Sequence, residues 1–137
     1  MKPMSDKFFI DRNIALYLLD FNDSRKKEIA SALLEQVPFI SAQVIFECLN
    51  VCLKKYKMER SRAVAFVTEL ASVSYIQSEN EAVVSGALHI FNKYLLQPFD
   101  SKIVASALEA GCSILYSEDM QHNLVIEKRL TIINPFL

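Results

Sequence analysis

Phe8-Phe9-Ile10-Asp11 near one end of the chain and Ser113-Ile114-Leu115-Tyr116-Ser117-Glu118-Asp119 near the other repeat one pattern: a short apolar run that stops on an acid. Short apolar runs bounded by polar residues read as strands buried on both faces of a parallel sheet. Two further acids hold comparable places. Phe39-Ile40-Ser41 leads into a helix-like segment carrying Glu47, and Asp100 follows Gln97-Pro98-Phe99 at the head of another. Ligand sites in open α/β sheets lie outside the carboxyl ends of the strands. A chain alternating strands and helices would therefore bring Asp11, Glu47, Asp100 and Asp119 to one sheet edge. Four carboxylates gathered there repel one another unless a cation sits among them, which points to a metal site and to metal-assisted chemistry on a phosphate.

The segments between these landmarks alternate as that reading requires. Strands are expected over Lys7 to Ile10, Val37 to Ile40, Val73 to Gln77, Ser113 to Tyr116 and Leu130 to Ile133. Helices are expected over Asn13 to Leu19, Arg25 to Gln36, Ser41 to Lys55, Glu59 to Ala71, Glu79 to Tyr94 and Asp100 to Ala110, the last closed by Gly111. Asp23 or Ser24 suits the cap of the second helix and Ser41 the cap of the third, with a hinge over Tyr56 to Met58 and a loop over Gln97 to Phe99. Strands alternating with helices argue a parallel sheet covered on both faces.

Composition sets the outer bounds. A chain of 137 residues, 52% hydrophobic with two glycines, fits one domain over 1–137 with short loops and much helix. The net charge of -1 leaves nucleic acid open as a partner, because local distribution matters more than the sum. Cys48, Cys52 and Cys112 form no disulfide framework, and His89 and His122 show no zinc spacing, so small buried thiols in a reducing cytoplasm are the expectation. The opening MKPMSDK lacks the apolar stretch of a signal peptide, and no apolar run is long enough to span a membrane.

Each acid also has a plainer explanation. Asp11 and Asp100 stand where N-caps stand, and Asp119 suits a turn after a strand. Glu47 is harder to explain away. Its helix is apolar nearly all round, leaving Gln43, Glu47, Asn50 and Lys54 as one narrow polar stripe. Four acids at one edge are poorly explained as four independent caps, and a set of oxygen ligands suits Mg²⁺ or Mn²⁺.

In their order and spacing these segments resemble the PIN-domain ribonucleases, in particular the short toxins of VapC type. FIDRNIALYLL is similar to the family's opening strand and helix, with Asp11 and Asn13 at its Asp and Asn. ISAQVIFECLNV is similar to the segment bearing its Glu, matched by Glu47. FDSKIVASALEAGCSILYSEDM is similar to the segment holding its remaining acids, matched by Asp100 and Asp119, with Ser117 at its hydroxyl position. The ending IINPF also resembles these toxins, and the likeness spans nearly the whole chain. It implies a three-layer α/β/α, Rossmann-like fold around a central parallel sheet of about four to five short strands. It implies a Mg²⁺- or Mn²⁺-dependent endoribonuclease, in which metal-activated water displaces the 3′ oxygen and leaves a 5′ phosphate. Asp11, Asp100 and Asp119 would bind the metal, and Glu47 would complete the site directly or through water. A homodimer and a small antitoxin partner are also implied.

Two residues depart from the family pattern. Arg12 stands where the family usually has Thr or Ser, and Asn123 where related toxins often have Gly. Arg12 is expected to pair with Glu118 or Asp119, to hold a phosphate, to point outward, or to compete with the metal for its carboxylates. A catalytically impaired PIN-like interaction module is therefore the alternative function. The basic stretch KKYKMERSR, beginning at Lys54, is either a solvated helix end or a contact for RNA phosphates, and Lys54 with Arg12 are the candidate substrate-binding cations. The apolar face of Ala63, Phe66, Val67 and Leu70 is expected either in the core or at a partner. A phosphorylation-receiver domain also clusters acids at a sheet edge, but FFID carries one acid where that domain needs a pair.

Overall fold

The apolar runs pair as one sheet. In the computed structural model, which describes residues 6–137, β1 (Phe8–Ile10) lies between β2 (Phe39–Ser41) and β4 (Ile114–Tyr116). Of the opening MKPMSDK, and so of the expected domain, residues 1–5 lie outside the described residues. The strand order is β3-β2-β1-β4-β6-β5, with β3 at Tyr75–Gln77, β5 at Val125–Ile126 and β6 at Leu130–Ile133. All pairings are parallel except β5 with β6. Phe9, Ile10, Ile40, Leu115 and Ile132 are fully buried, which is why the strands carry no polar alternation.

From β1 the chain steps outward through β2 to β3 by way of α1 (Arg12–Leu16), α2 (Ser24–Glu35), α3 (Ala42–Lys54) and α4 (Arg60–Ser72). It then returns across the sheet through α5 (Glu81–Tyr94) and α6 (Pro98–Glu109) to enter β4 on the other side of β1. Right-handed crossovers running in opposite directions lay the two helix groups on opposite faces, giving the expected α/β/α layering. The direction of winding reverses between β1 and β4, so the crevice of a doubly wound sheet opens at their carboxyl ends.

The expected elements are present, with instructive differences at their ends. The first helix is α1 followed by a tighter 3₁₀ turn at Tyr17–Leu19. Val37 does not begin β2; it takes a left-handed φ of 59°, and its N–H bonds Leu34 O as α2 unwinds. Val73 terminates α4, and Asn80 caps α5 by accepting from Val83 N. Pro98 is not loop: it occupies the first turn of α6, where its missing N–H costs nothing, so Asp100 lies inside that turn. Asp23 caps α2. Ser41 sits at the cap position of α3, yet its hydroxyl makes no capping bond, and Glu79 Oε1 instead accepts from Gln43 N at 2.9 Å.

Among the described residues the sheet has six strands rather than four to five, because β5 adds an antiparallel edge hairpin. Its turn places Glu127 and Lys128 at φ 51° and 57°, a conformation that Asn-Gly usually announces. Packing supplies what the turn residues lack. Tyr94 OH accepts from Glu127 N at 2.8 Å, and Lys93 and His89 both hold the Glu127 carboxylate. His89 is thus an exposed strut between α5 and this hairpin. Asn123 takes φ 69°, the left-handed conformation a glycine would take there, and asparagine tolerates it better than most residues.

Leu95 also lies in the left-handed region, at φ 59°, but its side chain is 90% exposed and gains no packing in return. Leu95→Gly at this helix end should stabilise the chain by about 1 kcal/mol, the left-handed penalty less glycine's extra unfolded-state entropy. The expected rise in Tm is roughly 3–5 °C in a thermal melt; a fall would show that the helix end is held by something other than this turn.

Candidate active site

The register of β1 against β4 builds the site. Phe8, Phe9 and Ile10 face Ile114, Leu115 and Tyr116, and the pairing runs on past the strand ends as Asp11 N donates to Tyr116 O at 3.0 Å. Asp11 and Ser117 therefore leave their strands side by side. The Ser117 hydroxyl donates to Asp11 Oδ2 at 3.0 Å and accepts from Met120 N at 3.3 Å, fixing the turn that carries Asp119. Asn13, in the first turn of α1, joins the two loops. Its amide nitrogen donates to Asp11 Oδ2 at 3.3 Å and to Asp119 Oδ2 at 3.1 Å, while its oxygen accepts from Glu118 N at 3.0 Å.

Asp11 is also the N-cap of α1, its Oδ1 accepting from Arg12 N at 2.8 Å. The capping reading of this residue holds, with one oxygen on the helix start and the other turned to Ser117 and Asn13. Asp11 is 1% exposed. Burial pushes its carboxyl up to about 6, against the pull of the Arg12 N–H, the Ser117 hydroxyl and the Arg12 charge, and the nearby Asp100 charge pushes it further up. Asp100 is itself raised by burial and by Asp119, with the Arg12 charge opposing. Asp11 thus feels the charge of Asp100, and Asp100 that of Asp119.

Glu47 meets this group through Arg12. The guanidinium donates to Glu47 Oε2 at 3.1 Å, and Gln43 Nε2 donates to Oε1 at 3.3 Å. This corrects the expected partners of Arg12: neither Glu118 nor Asp119 holds it, and it does not swing outward. Glu118 is taken by Lys26 Nζ at 2.6 Å and Tyr17 OH at 2.6 Å. Arg12 instead places a positive charge beside the acids, where a cation is electrostatically favoured. Lys54 is exposed at the end of α3, two turns from Glu47 and roughly 10 Å further along the axis.

The donor set fits a hard divalent cation in its chemistry: oxygen ligands only, from buried Asp11 through half-buried Asp100 and Glu47 to exposed Asp119, with mutual repulsion that a cation would relieve. As placed, no three acidic, histidine or cysteine side chains among the described residues converge on one point. Asp11 is turned toward Ser117 and Asn13, and Glu47 toward Arg12, so these hydrogen bonds would have to be exchanged for a shared ion. Asp11, Asp100 and Asp119 are the residues that would hold it; Glu47 could join only by releasing Arg12.

Sequence reasoning missed the supports of this constellation. Gln43 bridges α3 to α6 by donating to Phe99 O at 3.2 Å, and Glu79 forms an ion pair with Lys102 at 3.2 Å while capping α3. Tyr17 and Lys26 clamp Glu118, the residue between Ser117 and Asp119. None of these stands at a spacing that predicts its partner. His122, near the acidic edge in sequence, accepts from Asn134 N and closes a surface loop. Cys48, Cys52 and Cys112 are buried free thiols.

The PIN domain family model matches residues 8–126. The chain belongs to the PIN-domain family. Among solved structures it is similar to a toxin–antitoxin complex from Klebsiella pneumoniae, at 21% identity and TM-score 0.67 over 94% of this chain and 97% of that one. It is similar to DNA-bound VapBC from Salmonella typhimurium at 16% identity and TM-score 0.71, covering 93% and 97% of the two chains. It is also similar to VapC20 of Mycobacterium tuberculosis, described as a toxin that cleaves the sarcin-ricin loop, at 18% identity and TM-score 0.64 over 82% and 90%. No curated protein matches the chain. At these identities the structural likeness shows a shared PIN fold.

The raised Asp11 carboxyl has a measurable consequence for the metal-free chain. Its folded value, about 6, exceeds its ordinary value of 3.8, so between these limits the folded state binds more protons than the unfolded one. Its contribution to stability is fully present below the lower value and is lost as pH rises through the upper. Unfolding in urea with a chelator present should show stability falling by up to about 3 kcal/mol between pH 4 and 7 from this group. Asp11→Asn should flatten that slope; an unchanged slope would place the titration elsewhere.

Proposed function

We propose that this PIN-family chain is a divalent-metal-dependent endoribonuclease, a single domain over 1–137 that acts as the toxin of a toxin–antitoxin pair. The observation that carries this reading is the joint held by Asn13: one side chain ties Asp11 to Asp119 across the β1–β4 crevice, with Asp100 within electrostatic reach of both. Structural neighbours from toxin–antitoxin complexes support it. No helix among the described residues is long and apolar enough to cross a membrane; the cytoplasm is the proposed place of action.

Mg²⁺ or Mn²⁺ held by Asp11, Asp100 and Asp119 would supply Lewis acidity and a water acidic enough to attack phosphorus. The chain's own residues do the rest. Asn13 and Ser117 hold Asp11 and the Asp119 loop side by side, and their hydrogen bonds would be exchanged for the shared ion as it loads. Burial of Asp11 keeps bulk water from the inner wall. Arg12, once released from Glu47, can donate its guanidinium to a non-bridging phosphate oxygen, and Glu47 is then free to accept a proton or a hydrogen bond from the attacking water. Lys54 and its basic neighbours would hold phosphates further along the strand.

Partners are proposed on the same footing. The α4 face expected either in the core or at a partner is largely internal: Ala63, Val67 and Leu70 are buried and Phe66 is half-buried. Exposed apolar surface lies instead along α5, where Val84, Leu88 and Phe91 share one side. A second copy or a small antitoxin would cover it.

The Arg12–Glu47 ion pair favours one other reading, a PIN-like interaction module whose site is blocked by its own arginine. Cleavage of single-stranded RNA with added Mn²⁺ separates the two. Asp100→Asn should lose at least a hundredfold in rate while melting as the parent does. Arg12→Thr should lower the Mn²⁺ concentration needed for half-maximal rate by about tenfold, the equivalent of one Coulombic contact of about 1.4 kcal/mol. Parent-level cleavage by Asp100→Asn would remove the proposed site, and cleavage that appears only with Arg12→Thr would establish the interaction module.

A further inference from the structure

Beside the acids lies a cavity that the proposed chemistry does not assign. It has a volume of about 190 Å³ and is lined by α1 with its 3₁₀ turn, the end of α3 and Glu118. That is below the roughly 300–1,000 Å³ of sites for drug-sized ligands, and closer to the scale of one base than of a whole nucleotide. It begins where the acids end. Asn13, one of its lining residues, bonds Asp11 and Asp119, and Glu118, another, immediately precedes Asp119.

The walls differ in what they have free. Tyr17 is committed: its hydroxyl donates to Glu118, Lys26 lies over its ring at 5.0 Å, and Phe136 packs against it at 4.9 Å. Glu118 is committed too, with one oxygen on Tyr17 and the other on Lys26. Asp20 is different. Its Oδ1 accepts from Asn22 N, and Oδ2 has no hydrogen bond to another described residue. Tyr56 is half-buried on the hinge between α3 and α4, with Lys55 over its ring at 5.6 Å. Lys54, Lys55 and Lys57 are exposed around it. An aromatic ring inside a basic run, opening on a polar cleft, is the arrangement by which proteins stack a single-stranded base and hold its flanking phosphates.

We propose that this cleft binds the base of the nucleotide adjoining the scissile phosphate, with Tyr56 as the stacking face and Asp20 as the acceptor for an exocyclic amino group. The proposal rests on the ribonuclease reading for its place beside a scissile phosphate. Asp20 sets the selectivity. Adenine, cytosine and guanine each present an amino group to a carboxylate, whereas uracil's N–H lies between two carbonyl oxygens that a carboxylate repels. Lys55 would leave the Tyr56 ring for the adjoining phosphate.

Binding can be read without cleavage, by titrating the parent chain with AMP, CMP, GMP and UMP in a chelating buffer and following amide shifts. Shifts should centre on Leu16, Asp20 and Tyr56, with UMP at least fivefold weaker than the other three. Tyr56→Ala should weaken binding about tenfold, the scale of one lost stacking contact, and Tyr56→Phe should restore it. Asp20→Asn should bring UMP level with the rest. Shifts elsewhere, or equal affinities in Tyr56→Ala and the parent, would overturn the proposal. Because neither metal nor turnover is needed, an inert acidic site leaves the result readable. Conversely, if the chain cleaves random-sequence single-stranded RNA and Tyr56→Ala leaves the base composition at the cut unchanged, the base site fails while the ribonuclease stands.

Discussion

The parallel pairing of β1 with β4 is the constraint on which the site depends. These strands adjoin in the sheet although more than a hundred residues separate Phe8 from Ile114 in sequence. Their register sets Asp11 beside Ser117, and a slip of one residue would turn Asp11 away from its partner. Everything that follows is local. Ser117 fixes the turn to Asp119, Asn13 bridges the two loops, and Asp100 arrives on α6 because that helix returns the chain to β4. The crevice is a consequence of winding, since the sheet reverses direction between these two strands.

Within that frame the acids are held at electrostatic cost. Burial raises Asp11 and Asp100, and each feels a neighbouring carboxylate. A fold devoted to stability alone would place apolar groups there. The chain carries a partial remedy in Arg12, whose guanidinium lies between this cluster and Glu47. Threonine or serine, the residues expected at this position from family resemblance, would leave the full negative charge for an external cation. Arg12 substitutes a resident cation, and Glu47 could turn to an ion held by the other acids only by releasing it.

Much of this was legible in the sequence, for identifiable reasons. Buried parallel strands write themselves as continuous apolar runs, so Phe8–Ile10 and Ile114–Tyr116 could be found without a structure. Asp11 ends the first run and Asp119 lies just past the second, so the placing of these two at one edge follows from topology alone. What stayed hidden depends on contacts distant in sequence. The β5–β6 hairpin uses Glu127 and Lys128 in left-handed positions held by Tyr94, Lys93 and His89, so its turn carries no glycine signal. Glu79, rather than Ser41, satisfies the start of α3 from 36 residues away. The sequence offers the Asp119 loop as partner of Arg12 because the expected sheet edge sets that loop beside Asp11, while the packing of α1 on α3 brings Glu47 to the guanidinium instead.

The central claim is that these acids form a site for a divalent cation. Calorimetric titration of Mn²⁺ into the parent chain and into Asp100→Asn tests it without any choice of RNA. The account predicts binding by the parent, tighter for Mn²⁺ than for Mg²⁺, and weakened at least tenfold in Asp100→Asn. A folded parent that binds no Mn²⁺, or an Asp100→Asn variant that binds it as tightly, would contradict it.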